Sequence, residues 1–112
     1  MHERKDLNDL IDKLQKQKKG VWKRTAELLG KPRRRRVEVN LSKIEAYAPE
    51  GSTVLVPGKV LGAGRMSRKL TIAAFSFSEG ARKAISEGGA KIITIDELFA
   101  QNPEGKSVVI LI

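Results

Sequence analysis

Thr53-Val54-Leu55-Val56 is the apolar run on which the fold depends, and its composition predicts a buried strand. The following Pro57-Gly58 predicts the end of that strand and the start of a glycine-rich loop that runs to Gly64. A second run, Leu70-Thr71-Ile72-Ala73-Ala74-Phe75, predicts the next strand. These two strands form the centre of the predicted fold.

Short strands and short helices alternate on both sides of this centre. Before the two central strands, the sequence predicts a strand over 37–40 and a brief helix that is capped by Asn40 and carries Leu41, Ile44 and Tyr47. After them it predicts a helix from Ser76 or Ser78 to Gly88-Gly89 and a strand over 91–93. The last predicted elements are a helix opened by the capping box Thr94-Ile95-Asp96-Glu97 and a fully buried strand over 108–111. This alternation predicts the α/β class, with a compact body of short strands and helices.

Two amphipathic helices precede that body. The first is predicted from about residue 5 to 18 by apolar residues at helical spacing, which are Leu7, Leu10, Ile11 and Leu14. The second is predicted from Val21 to Leu29, after the break at Gly20, with Trp22, Thr25, Ala26 and Leu29 on one face. We expect residues 1–36 to form a basic helical arm that packs against an α/β core over 37–112, within one domain.

The charge of the chain is concentrated at one end. Residues 1–36 hold 13 of the 22 basic residues and only five acidic ones, a net charge of +8 that ends in Arg33-Arg34-Arg35-Arg36. The other 76 residues carry a net charge of +1. A basic arm on a nearly neutral body indicates a protein that binds a polyanion, and nucleic acid is favoured over an anionic membrane.

Several classes of protein are excluded by composition. The longest apolar run, Val108 to Ile112, falls far short of the ~18 residues that a membrane helix requires. The first residues contain no apolar signal segment, and the chain has no cysteine. We therefore expect a cytoplasmic protein with no membrane partner and no thiolate chemistry.

Catalysis and cofactor binding find little support in the residues. The only histidine is His2, no spacing resembles a metal site, and most carboxylates lie at helix starts, in turns or near bases. The segment Gly58 to Gly64 lacks the Gly-Lys-Ser/Thr ending of a phosphate loop and the third glycine of a dinucleotide fingerprint. We predict neither an enzyme nor a cofactor. The segment is either a wide hairpin connection or, with Arg65, Arg68 and Lys69, a second anion contact.

The arginine run has two interpretations. It is either a disordered basic stretch or localisation signal, or a contact held between a helix and a strand that presents guanidinium groups to phosphates. Part of the helical charge is expected to pair internally, at Asp9–Lys13, Asp12–Lys16, Lys23–Glu27 and Glu27–Lys31. Lys18, Lys19 and Arg24 have no obvious acidic partner. The predicted nucleic-acid contacts are Lys18, Lys19, Arg24, Lys31, Arg33, Arg34, Arg35, Arg36, Lys59, Arg65, Arg68 and Lys69.

The five aromatic residues bear on how nucleic acid is recognised. They are Trp22, Tyr47, Phe75, Phe77 and Phe99, and four of them fit core or helix-face positions. Reading of single strands requires exposed rings on which bases stack, and this chain does not readily provide them. Recognition is therefore expected to depend on backbone phosphates and on the shape of folded RNA.

Several blocks of sequence resemble one family. They are WKRTAELLGKPRRRRVEVNLSKIE (residues 22–45), VLVPGKVLGAG, KLTIAAF, FSFSEGARKAI and GGAKIITIDEL. Together they resemble the archaeal and eukaryotic large-subunit ribosomal protein eL18 family, in the superfamily of bacterial ribosomal protein L fifteen. The length is similar to that of the compact archaeal form.

The resemblance implies a structural constituent of the large ribosomal subunit that acts in translation, with no catalysis and no cofactor. It implies that the partners are 23S-type ribosomal RNA and neighbouring ribosomal proteins, and we expect a monomer outside the ribosome. Lys31 and Arg33 to Arg36 fall on the family's basic motif, and Gly58 to Gly64 on its glycine-rich motif. Two alternatives remain, a DNA-binding regulator that reads with its N-terminal helix pair and a small enzyme that uses the glycine-rich loop.

Overall fold

The computed structural model describes residues 3–62 and 65–112, in which five helices and five strands alternate and confirm the α/β class. The elements are α1 (Glu3–Gln15), α2 (Gly20–Leu29), a 3₁₀ turn (Arg33–Arg35), β1 (Val37–Asn40), α3 (Leu41–Tyr47), β2 (Thr53–Leu61), β3 (Thr71–Phe77), α4 (Glu79–Gly88), β4 (Lys91–Thr94), α5 (Ile95–Gln101) and β5 (Val108–Ile110). His2, Ala63, Gly64 and the side chain of Arg33 lie outside the described part of the chain.

The described strands form one parallel sheet with β2 at its centre. The order is β1-β2-β3-β4, and β5 pairs with β2 on the edge away from β3. Because β2 is long, β5 pairs with its first half at Thr53–Leu55 and β1 pairs with its second half at Gly58–Leu61. The beginning of β1, and the arginines before it, therefore lie beside the middle of β2.

Apolar residues cover both faces of the sheet. Val54 and Val56 of β2 point into one cluster with α3, α4 and the segment that joins β2 to β3. Leu55 points the opposite way, into a second cluster with α1, α2 and α5. The sequence of a parallel strand that is buried on both faces is apolar throughout, and residues 53–56 fit this pattern. The two N-terminal helices thus form most of one covering layer, with Trp22, Thr25, Ala26 and Leu29 buried as predicted.

The prediction that Pro57-Gly58 ends the central strand is wrong. β2 continues to Leu61, and its register against β3 shifts between Val56 and Lys59. An irregularity of this kind accommodates proline, whose missing N–H would otherwise leave a gap in a regular ladder. Since β2 and β3 are parallel, the hairpin interpretation of the connection is also wrong.

The predicted side-chain caps are confirmed for α4 and α5 but not for α3. Ser78 accepts a hydrogen bond from the Ala81 amide at the start of α4, and Gly89 ends that helix in the left-handed conformation. Thr94 forms the predicted capping box of α5. The Asn40 side chain makes no capping hydrogen bond, although Asn40 does precede α3.

Two element boundaries differ from the prediction. α1 ends at Gln15, three residues before the predicted end at residue 18. β5 covers Val108–Ile110 and is half-buried, whereas a fully buried strand was expected. An edge strand that pairs only with β2 cannot be enclosed on all sides.

Candidate nucleic-acid interface

The connection between α2 and β1 is an ordered basic turn, here named the arginine segment (Lys31–Arg36). The Arg35 amide donates to the Pro32 carbonyl at 2.8 Å, and Arg36 Nε donates to the Lys31 carbonyl at 3.2 Å. Its ends are held by α2 and β1, so the run lies between a helix and a strand as predicted. Short internal hydrogen bonds reduce the number of conformations that the segment can adopt.

The arginines of this segment whose side chains are described, Arg34 to Arg36, are not neutralised by neighbouring acids. Arg34 and Arg35 are exposed and Arg36 is half-buried. Among the described residues, the ion pairs within 4.0 Å involve Lys13, Lys19 and Arg24, and none involves Arg34 to Arg36. Adjacent like charges repel one another, so a polyanion that contacts them lowers their mutual repulsion.

Lys59 lies beside the arginine segment. In the β1–β2 register Glu38 is directly opposite Lys59, and Arg36 precedes that pair by two residues. Arg36 and Lys59 both line a cleft of about 160 Å³, together with Val37, Glu38, Gly58, Phe75 and Ser76. We name this the β1–β2 cleft. The structure thus brings together two basic residues that are 23 positions apart in the sequence.

The other predicted contacts of the glycine-rich region lie elsewhere. Arg68 donates to the Ala48 carbonyl at 2.5 Å, at the carboxyl end of α3, where a cation is favourable to the helix dipole. The Lys69 amide donates to Glu50 at 3.2 Å. Lys69 lies just before Thr71, which pairs with Thr53 at the start of β2. Lys59 is six residues beyond Thr53 on β2, which at ~3.3 Å per residue separates Lys59 from that end of the sheet by about 20 Å.

Glycines in this region are required by chain packing. A Cβ at Gly58 would lie 2.1 Å from the Val37 carbonyl oxygen, and a Cβ at Gly62 would lie 2.6 Å from the Gly80 carbonyl carbon. Both contacts are to backbone, which cannot move aside easily. Close approach of β1 to β2, and of Gly62 to α4, accounts for these two glycines without an anion.

Two of the predicted contacts on α2 have acidic partners after all. Lys19 pairs with Glu104 at 3.0 Å, and Arg24 pairs with Glu27 at 3.4 Å. The expectation that they lack partners is therefore wrong. Lys19 gains its partner because folding brings the 102–105 turn to the start of α2. Arg24 has its partner within the helix, because residues at i, i+3 are neighbours on a helix surface. Lys18 is exposed between α1 and α2.

The predicted pairing within α1 is also wrong for Lys13. Its ammonium group contacts Asp96 of α5 at 2.7 Å. Lys13 and Asp9, whose side chains are both described, form no ion pair with each other. Both partners are about half exposed, so the contact contributes between zero and about 1 kcal/mol to stability. It joins the two helices of one covering layer.

The aromatic rings differ in their accessibility, and only Tyr47 is more accessible than expected. Tyr47 is 68% exposed at the end of α3. Phe75 is half-buried in the wall of the β1–β2 cleft. Trp22 is fully buried, donates to the Pro103 carbonyl at 2.8 Å and meets Phe99 edge-on at 5.1 Å. The helical period places Tyr47 on the predicted apolar stripe, but α3 ends there and leaves the ring beyond the core.

One carboxylate has a shifted pKa. The Ser67 hydroxyl donates to Glu45 and is the main cause that lowers the pKa of this carboxyl from its ordinary 4.5, with the Ser67 amide at 3.3 Å assisting. Glu45 belongs to α3, and Ser67 belongs to the connection between β2 and β3. This hydrogen bond fixes that connection and has no evident catalytic role.

Residues 3–62 and 65–112 contain neither a candidate metal site nor a candidate membrane span. No group of three or more histidine or acidic side chains in these ranges is arranged to hold a metal ion. None of the helices in the same ranges has the length and apolar character needed to span a bilayer. The exposed basic surface is therefore the candidate functional site.

Comparison with known proteins identifies the family. Residues 14–112 match the family described as "Ribosomal protein 60S L18 and 50S L18e". The chain belongs to this family. Members of the eL18 family are structural ribosomal proteins and not enzymes, so the predicted family and the predicted lack of catalysis are confirmed.

Archaeal relatives share most of the chain. Large ribosomal subunit protein eL18 of Methanococcus maripaludis is 51% identical over 107 residues, which is 92% of this chain and 89% of that protein. The protein of the same name from Archaeoglobus fulgidus is 46% identical over 106 residues, 95% of this chain and 91% of its own length. The Sulfurisphaera tokodaii protein is 42% identical over 102 residues, 91% and 86% of the two chains. The chain is thus of the archaeal eL18 type.

Proposed function

We propose that this eL18-family chain binds and stabilises folded 23S-type RNA in the large ribosomal subunit, with the arginine segment as its main contact. The observation that supports the proposal is the pair of exposed arginines Arg34 and Arg35, in a segment held at both ends, which form no ion pair with an acid among the described residues. The chain acts in the cytoplasm beside neighbouring ribosomal proteins and is a monomer before assembly.

The mechanism is charge neutralisation between RNA segments that would repel each other. The planar guanidinium groups of Arg34 and Arg35 bind phosphate oxygens with paired hydrogen bonds, which a point charge cannot do. Lys59 adds a cation on the adjacent strand. Lys18, Arg65 and Lys69, which are exposed and belong to other parts of the chain, supply further contacts.

The salt dependence of binding tests the electrostatic mechanism. If four to six phosphates are contacted, the logarithm of affinity falls with the logarithm of salt concentration at a slope of roughly −3 to −5. Filter binding of the full chain to 23S-type RNA over a range of KCl concentrations measures this slope. A slope near zero would show that phosphate contacts do not drive binding.

A four-residue variant tests the arginine segment itself. Changing Arg33 to Arg36 to alanine is expected to abolish RNA binding while the circular dichroism melt remains cooperative. The control removes the same charge from four exposed lysines outside the segment, by alanine at Lys16, Lys83, Lys91 and Lys106. Equal loss of affinity in the two variants would mean that net charge, and not the segment, determines binding.

The alternative function is duplex-DNA binding by the N-terminal helix pair. The apolar faces of α1 and α2 are buried against the sheet, and on α2 Lys19 and Arg24 are engaged with acids. These contacts leave little of α2 to enter a major groove. Competition between structured ribosomal RNA and duplex DNA of equal length decides between the two, and preference for the duplex would support the regulator.

A further inference from the structure

The β1–β2 cleft combines features that the proposed phosphate contacts do not require. Its walls come from the start of β1, the middle of β2 and the end of β3. Their lining includes two basic residues, one acidic residue, a serine and a phenylalanine, around a space of about 160 Å³. Phe75 packs against the second apolar cluster and is half-buried, as Phe77 and Phe99 also are, and it is the one of these three rings that lines the cleft.

The charges that line this cleft are not satisfied by one another. Glu38 and Lys59 are direct neighbours across the β1–β2 ladder, yet no ion pair joins these two described residues within 4.0 Å. Arg36 uses Nε to donate to the Lys31 carbonyl, and the described residues supply no hydrogen-bond acceptor to its two terminal nitrogens. Cations and an acceptor thus face the same opening.

We infer that the β1–β2 cleft accepts a single unpaired RNA nucleotide. Its base stacks on Phe75, its phosphate contacts Arg36 and Lys59, and Glu38 and Ser76 hydrogen-bond to the base edge. The inference rests on the proposed RNA binding and adds a recognition mode to it. Every nucleobase offers a flat face for stacking, whereas its neighbouring phosphate supplies the charge that the two cations attract.

The size of the cleft favours a nucleotide over a larger partner. A space of about 160 Å³ is comparable to one planar ring and is too small to enclose a helix or a duplex. The cleft also adjoins the arginine segment through Arg36, so a strand whose backbone lies on that segment reaches it with the next nucleotide. Continuity between a phosphate contact and a base pocket is a common arrangement in single-strand recognition.

Two oligomers of equal charge test the inference. One is hexauridylate, and the other is a six-unit ribose-phosphate chain without bases. The full-length protein is expected to bind hexauridylate about tenfold more tightly, since stacking of one base accounts for a difference of that order. Fluorescence anisotropy of end-labelled oligomers at low salt measures both affinities. Equal affinities would overturn the inference.

Matched substitutions locate the effect. Phe75→Leu is expected to reduce affinity for hexauridylate about tenfold and to leave the base-free oligomer unaffected. Phe77→Leu is the control, because it makes the same change on the same strand while Phe77 packs in the cluster on the opposite face of the sheet. If the two variants bind hexauridylate equally, the cleft does not hold the base.

A cross-linking measurement covers the case in which Phe75→Leu fails to fold. Irradiation of wild-type protein with hexauridylate at 254 nm, followed by fragmentation of the tryptic peptide over 70–82, is expected to show a uridine adduct at Phe75. An adduct at the exposed Tyr47 in its place would overturn the inference. The proposed function is tested separately, because alanine at Arg33 to Arg36 reduces binding of both oligomers and of 23S-type RNA.

Discussion

Gly58 joins the fold to the candidate interface, and its replacement by alanine tests how closely the two depend on each other. Gly58 is the β2 partner of Val37 in the first rung of the β1–β2 ladder, immediately after the arginine segment. An added Cβ would lie 2.1 Å from the Val37 carbonyl oxygen and 2.9 Å from the carbonyl carbon. Real Cβ contacts are at least about 3.0 Å, so one of the two strands must move by about 1 Å.

This displacement allows an estimate of its cost. Overpacking of a close-packed interior typically costs about 1–3 kcal/mol, and here the obstructing atoms belong to backbone. For a domain of this size the melting temperature of Gly58→Ala is expected to fall by about 5–15 °C. Because the start of β1 shifts, Arg36 is also displaced. The slope of log affinity against log salt concentration for RNA binding is therefore expected to become shallower by the amount that about one phosphate contact contributes.

Gly20→Ala is the matched control for this prediction. No atom lies within 4 Å of a Cβ built at Gly20, which is exposed at the start of α2. Alanine there is expected to leave stability unchanged or to raise it by up to about 1 kcal/mol, since it restricts the unfolded chain. Melting by circular dichroism compares the variants. If Gly58→Ala is as stable as Gly20→Ala, the reasoning about close strand approach is refuted.

Two further predictions concern contacts that hold the covering layers. Trp22→Phe removes the indole N–H and with it the part-buried hydrogen bond of 2.8 Å to the Pro103 carbonyl, so urea unfolding is expected to show a loss of about 0.5–1.5 kcal/mol; unchanged stability would contradict this. Glu45 has a lowered pKa in the folded state, chiefly because the Ser67 hydroxyl donates to it, so its contribution to stability is fully present above pH 4.5 and is lost as the pH falls through the folded pKa. The stability difference between wild type and Glu45→Gln is therefore expected at neutral pH and should shrink in acid, and a difference that grows in acid would reverse the assigned sign.

The candidate site was predictable only in part. Four consecutive arginines between a helix and a strand are visible in the sequence, because both flanking elements have strong local signals. The partners of Lys19 and Arg24 were missed in different ways. Glu104 is 85 residues from Lys19 in the chain, whereas Glu27 was assigned to lysines at i, i+4 spacing and not to Arg24 at i, i+3. Phe75 packs against the second apolar cluster, in keeping with its place in an apolar run, but the sequence does not show that it also lines a cleft.

The sequence by itself determined the α/β class, the order of the elements, the caps of α4 and α5 and the family. These properties depend on local patterns, such as helical spacing in α1, the capping box at Thr94 and the blocks shared with relatives. Tertiary structure alone decided that β2 continues through Pro57-Gly58 and that its two halves pair with different strands. The physical reason is that strand pairing and close backbone approach depend on residues distant in the chain. The same pairing brings Lys59 to Arg36, and so decides where the basic surface has a cleft.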